Sequence, residues 1–397
     1  MLIMELRLSP DAILNKVTSF LRSASSKTLF SLGFALLALF VLGSAVATGS
    51  FSGPGAPAAK PLPKAIADAL SGPQPEGFSA RVKFTNNLLP SQGYEGRDPL
   101  MSGGSGRLWM SSEGQLRLEL QSDSGGGDVE MMADAKQLWL YHAAQNTVYQ
   151  AQMPAGKEEA DLPASLATVE KLLSKLGAKA SLSGALPDNI AGRPAYSSQL
   201  QPKSSAGLLS AVQVSWDAAN GAPLRLAAIA RGQKDPAFSF EVTEARFGPV
   251  DPAVFEMKPP AEAKVQDLSS PKPGKQKPLR GLEAAQAGAS FPLRAPAQLD
   301  GLKRSSVVLS PDGRSATVRY GRGLGSVTVM ESAARAEKPK AEASKTAGLL
   351  AVKIGSSDGS VLSTSLGSMV SFEKDQVRFL VIGSVDRNKI LAVARAL

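Results

Sequence analysis

Between Gly103 and Met153 the chain runs through GGSGRLWMSS, GQLRLELQS, GGDVEMMADA, KQLWLYHAA and NTVYQAQMP, each run bounded by Gly, Asn, Asp or Ser. Side chains of a strand point to its two faces in turn, and these bounding residues supply the conformations that reverse it, so the pattern predicts an antiparallel meander. Leu116, Leu118 and Leu120 share one face, with Arg117, Glu119 and Gln121 on the other. On the next strand but one, Leu138 and Leu140 alternate with Trp139 and Tyr141. One face is apolar; the other carries charges early and aromatic rings later. A curved sheet with such unlike faces either covers a core or holds an apolar ligand.

Composition narrows the chemistry. The 397 residues allow two or three domains, and 43% hydrophobic content can bury their cores. The 37 glycines and 27 prolines suit short strands and turns, which predicts an all-β or α+β class. No cysteine is present, which excludes disulfides, thiolate zinc sites, a cysteine nucleophile and a lipid-modified cysteine. His142 is the only histidine, so a His-based metal cluster is excluded and a serine triad could form only around it. At the end of QLWLYHAA it reads as a solvated strand-end residue. GRGLG at 321–325 lies between strand-like runs and opens no helix, so it reads as a turn or bulge and not as a phosphate cradle. No paired-carboxylate or Ser-centred motif stands out, so neither an enzyme nor a cofactor is expected. The net charge of +9 comes from dispersed basic residues with acids interleaved, which argues against nucleic acid and for attraction to an anionic membrane or cell wall.

Residues 28–48, TLFSLGFALLALFVLGSAVAT, carry no charge. At about 1.5 Å per residue they suffice to cross a hydrocarbon core about 30 Å thick. Arg7, Lys16, Arg22 and Lys27 precede the run, and no Lys or Arg follows until Lys60, so the N-terminus is expected in the cytoplasm and the body outside. A retained single-pass anchor is expected, with secretion after cleavage at Ala47 as the alternative. Residues 1–27 include an amphipathic stretch suited to the inner membrane face, and residues 49–63 read as an extended or mobile Pro/Gly/Ala tether.

Residues 64–265 form the expected main domain. It holds a short helix at 64–70, a first strand at 77–88 and a surface loop at 89–106 before the meander. An amphipathic helix follows over 161–176, with strands at 193–201, 208–217, 223–231 and 237–247 and a hairpin turn at Ala219-Asn220-Gly221. The segment 251–265 packs Val254 and Phe255 before a linker over 266–284. Residues 285–397 read as a smaller α+β domain with a Pro311-Asp312-Gly313 turn, and Asp386 to Asn388 cap its C-terminal helix.

The order GFSARVKF, GSGRLWMSSEGQLRLELQS, DVEMMADAKQLWLYHAAQNTVYQAQMP, a helix, a second meander and VFEMKPPAEAKV resembles the LolA-like and RseB-like (MucB-like) superfamily of extracytoplasmic lipoprotein carriers and sensors. The strand YGRGLGSVTVMES and the ending VRFLVIGSVDRNKILAVARAL resemble the smaller domain of RseB-like regulators, in a membrane-tethered, Gram-positive (actinobacterial-type) variant. The resemblance implies a mainly β, α+β fold: a strongly curved antiparallel half-barrel with helices over its concave side, a hydrophobic cavity between them, and no catalytic activity. The implied function is to hold a lipid or a lipoprotein acyl chain. The alternative is a sensor docking on a membrane protein such as an anti-sigma factor or an ABC transporter. Candidate lining residues are Trp109, Met132, Trp139, Tyr141 and Tyr149 on one sheet face, with Leu166, Val169 and Leu173 on a lid helix. A one-residue change of facing would instead turn Leu116, Leu118, Leu138 and Leu140 inward.

Overall fold

A computed structural model describes residues 55–73, 75–88, 98–123, 125, 127–134, 136–152, 166–178, 180–256, 258, 260–267, 277–334 and 349–397. The expected inner-face segment and membrane span lie outside these residues, and no described helix is long and apolar enough to cross a membrane.

The first sheet is preceded by helix α1 (Leu62–Ser71) and begins with β1 (Gly77–Asn86). After a one-turn helix α2 (Pro99–Ser102) come β2 (Gly104–Ser111), β3 (Leu116–Ser122), β4 (Asp128–Ala133), β5 (Gln137–His142) and β6 (Thr147–Gln152). Helix α3 (Leu166–Gly177) leads to β7 (Ala180–Leu182), β8 (Leu186–Ile190) and β9 (Arg193–Pro202). A second meander, β10 (Leu209–Asp217), β11 (Pro223–Ala230) and β12 (Pro236–Phe247), precedes β13 (Lys264–Asp267).

The strand order is β13-β6-β5-β4-β3-β2-β1-β12-β11-β10-β9-β7, with β8 also on β9. Each meander is local in sequence; the long-range pairing of β1 with β12 fuses them into one sheet. Among the described residues the ends do not pair with each other and no barrel closes. Every pairing is antiparallel except that of β13 with β6. Two local features interrupt the regular sheet. A bulge interrupts the register between Arg81 and Val82. On β2, a Cβ at Gly104 or Gly106 would stand 2.2 Å from the Gln121 carbonyl oxygen or 1.8 Å from that of Glu119, so only glycine permits this approach of β2 to β3.

Local boundaries depart from the sequence reading where proline or tertiary contact intervenes. The tether expected over 49–63 is fixed from Ala58 onward: its carbonyl accepts from the Tyr196 hydroxyl at 2.6 Å, Lys60 bridges to Ala185, and Pro63 sits in the first turn of α1. The loop expected over 89–106 contains α2, capped by Asp98, whose carboxylate accepts from Leu100 N at 2.9 Å. The linker expected over 266–284 starts within β13 and ends in structured chain.

That chain opens the second sheet, with β14 (Leu279–Arg280), α4 (Leu282–Gly288), β15 (Gln298–Leu299), β16 (Leu302–Leu309), β17 (Ser315–Tyr320) and β18 (Val327–Ala333). It continues through β19 (Leu349–Ile354), β20 (Ser357–Thr364), β21 (Gly367–Lys374) and β22 (Val377–Gly383) to helix α5 (Arg387–Arg395). The order is β14-β16-β17-β18-β22-β21-β20-β19, with β15 on β16. Val318, Val329, Phe379, Val381, Ile390 and Val393 are fully buried between this sheet and α5, in a core with no residue from the first sheet. Gly323–Gly325 is a short 3-10 turn, and Asp386 caps α5 by accepting from Lys389 N at 2.8 Å, both as the sequence predicts.

Candidate functional site

The register from β1 to β6 runs without a shift outside the β1–β12 bulge, so the residues on each face can be followed strand by strand. One row reads Ala80, Leu108, Leu118, Met131, Leu140, Tyr149. Beside it, Phe78, Met110, Leu116, Ala133, Leu138 and Ala151 form a second apolar row. The third, Val82, Gly106, Leu120, Val129, His142 and Thr147, turns polar only at its far end. In the other direction the same face continues from Phe84 through Phe240 and Leu226 to Val214.

Helices α1 and α3 identify this face as the covered one. Leu62, Ile66 and Val169 are buried with Val212, Val214 and Trp216, and Leu173 packs on the same cluster. This coverage is confined to the β9–β11 half. On the other half, Leu116, Leu118, Met131 and Leu140 are half-buried, as are Phe238 and Phe240 between the halves, although all six stand on the apolar face. Leu100 of α2 packs on the edge of this strip. The result is an elongated apolar strip, roofed by two helices at one end and partly open at the other.

The opposite face explains itself by packing. Trp109, Arg117, Met132, Trp139 and Gln150 form one row, and Arg107, Glu119, Glu130, Tyr141 and Val148 the next. Arg117 lies over the Trp109 ring at 6.0 Å, pairs with Glu119 at 2.7 Å and Glu130 at 3.1 Å, and donates to the Val254 carbonyl at 2.8 Å. Phe255, buried as the sequence predicts, lies beside Met132 and Trp139 with Gln115 and Gln137 around a small cleft. The segment after β12 is thus pinned across this face.

The sequence candidates therefore separate. Trp109, Met132, Trp139 and Tyr141 share a face, but it is the one turned away from α1 and α3; the Leu138 facing is the helix-covered one. Tyr149 does not join them. It stands opposite Leu140, because the 3-10 turn at Ala143–Gln145 and left-handed Asn146 set the β5–β6 register. Val169 is buried and Leu173 half-buried against the α1 cluster, whereas Leu166 is 45% exposed. His142 is not solvated: it is 5% exposed and its Nε2 lies 3.0 Å from Asp98 Oδ2, because parity with Leu138 and Leu140 turns it to the apolar face under α2. Phe238 and Phe240 were legible in the alternation of FSFEV, and the Asp98-Pro99 start of α2 in its cap signature. Among the described residues no cluster of acidic or histidine side chains could hold a metal.

Neither a family model nor a curated protein matches the chain. Among solved structures, the chain is similar to MucB in complex with MucA(peri), at 17% identity over 84% of this chain and 95% of that one, with a TM-score of 0.41. The Pseudomonas aeruginosa MucA/MucB complex gives 16% identity over 84% and 95%, with a TM-score of 0.40. A putative outer membrane lipoprotein-sorting protein domain from Vibrio parahaemolyticus gives 14% identity over 45% and 89%, with a TM-score of 0.19.

Proposed function

We propose that this chain is a non-enzymatic, membrane-tethered extracytoplasmic binding protein that holds an acyl chain of a lipid or lipoprotein on the apolar strip between its curved sheet and helices. The observation that carries this reading is the half-open strip of Leu116, Leu118, Met131, Leu140, Phe238 and Phe240 on the helix-covered face. Burying a methylene contributes about 0.8 kcal/mol, so a strip of this kind gives useful affinity without a charged anchor. The uncharged run at 28–48 would hold the body at the membrane, where such chains are found. Native mass spectrometry of the detergent-extracted full-length protein tests the reading. A retained lipid mass is expected, lost in Leu118→Asp/Leu140→Asp and kept in Trp139→Ala; a lipid-free mass at all stages of extraction would reject it.

A second reading, a regulatory sensor for an anti-sigma factor or transporter, is favoured by β19. This strand forms one edge of the second sheet and its Leu350 is 50% exposed, a geometry that accepts an added strand from an extended partner segment. A membrane protein that co-purifies with the full chain and is lost on Leu350→Lys would favour it over the carrier.

A further inference from the structure

His142 stands at the polar end of the apolar face, beside Thr147 and Tyr149. It lies two residues from Leu140 on the same strand, about 7 Å along the half-open strip. Its side chain is 6% exposed. Asp98 fixes its tautomer. The carboxylate can only accept, and its Oδ1 already takes the Leu100 N–H at 2.9 Å, so Oδ2 at 3.0 Å takes the proton on His142 Nε2. The neutral ring then presents Nδ1 as a lone-pair acceptor, buried and without a partner among the described residues. Its polar neighbours are committed elsewhere: the Thr147 hydroxyl donates to the Gln145 carbonyl at 2.9 Å and the Tyr149 hydroxyl to Gln145 Oε1 at 2.7 Å. A buried acceptor left unpaired costs about 1–3 kcal/mol, so the site gains from a ligand that brings a donor.

We propose that His142 is a specificity-determining residue of the apolar strip, selecting acyl chains whose head carries an amide N–H over those joined through an ester. The proposal rests on the acyl-binding reading above. It adds that the Leu118–Met131–Leu140 row takes the chain while Nδ1 accepts from the amide at its head, with Asp98 as the positioning residue that holds the Nε2–H tautomer, in which Nδ1 is the acceptor. An ester of the same length offers only acceptors and leaves Nδ1 unpaired. Sites built around a hydrogen bond discriminate in this way against the analogue that lacks the donor.

The test compares N-methyldodecanamide with methyl dodecanoate, which differ at the N–H, on the full-length protein in detergent-free nanodiscs. The amide should bind about 3- to 10-fold more tightly, the effect of one hydrogen bond. His142→Phe should erase that preference while leaving ester affinity in place, and His142→Gln, which restores an acceptor, should recover part of it. Because the chain has a single histidine, ring-15N NMR of the wild type gives one unambiguous pair of nitrogen signals even if the variants fail to fold. The amide should shift the Nδ1 signal and the ester should not. Equal affinity for the two probes with an unmoved Nδ1 signal would overturn the role of His142 and leave the binding reading standing. Failure of both probes to bind would overturn both.

Discussion

Gly106 sits where a methyl group has no room, 1.8 Å from a neighbouring carbonyl oxygen, and the close approach of β2 to β3 depends on that missing side chain. Gly106→Ala should therefore cost about 1–3 kcal/mol in urea unfolding, with the midpoint shifted and the slope preserved. Glu331 is a different kind of residue constraint. Fully buried on the core face of β18, it accepts from Arg294 N at 2.8 Å and Ala295 N at 3.2 Å, tying the segment before β15 to the sheet. Burial raises its protonation equilibrium above the usual carboxylate range, partly offset by those two backbone donors. A raised folded-state value means that its contribution to stability is fully present below the unfolded-state value and is lost as pH rises through the folded-state value. Thermal melting of the wild type should accordingly show a falling midpoint across that window. Glu331→Gln should flatten the fall, and an unchanged slope in the variant would show that another group is responsible. Alternation in VTVMES puts Glu331 on the face of Val327 and Val329, so its place on the core side was legible while its charge argued for the solvent side.

At the scale of elements, α3 behaves as a packed helix at Val169 and as a surface helix at Leu166. Val169→Asp should cost about 2–4 kcal/mol by placing a charge in the α1 cluster, whereas Leu166→Asp should stay within about 0.5 kcal/mol, both read by chemical denaturation. A large loss at Leu166 would mean that the helix meets a further surface. The apolar repeat of α3 was legible because helical spacing is local, and so were the two meanders and the α5 cap. The direction in which each sheet face looks was not, because alternation gives two faces without saying which one the helices cover. Tyr149 shows the same limit: its partner across the strand follows from the geometry of the β5–β6 turn and not from its own neighbours.

For the whole molecule, backbone hydrogen bonds and closely packed glycines join the two sheets. Leu208 N donates to the Ser384 carbonyl at 3.1 Å and Ser365 N to the Leu88 carbonyl at 2.9 Å. Beside them a Cβ on Gly325 would lie 2.5 Å from Ala206 Cβ, and one on Gly207 2.8 Å from Leu324 Cβ. Gly325→Val should separate the two sheets without unfolding either core. Small-angle scattering should then show a larger radius with the circular dichroism spectrum retained; an unchanged radius would place the coupling elsewhere.

The sequence by itself determined the strand-rich class, the apolar and polar faces of each strand, the amphipathic helix, the absence of thiol chemistry and the uniqueness of His142. These are properties of short windows, fixed by side-chain alternation, turn residues and composition. The tertiary structure alone decided that β1 pairs with β12, that the Leu118 face and not the Trp139 face is the one roofed by helices, and that His142 is buried against Asp98. Each of these depends on contacts between residues far apart in the chain, whose energies no local pattern records.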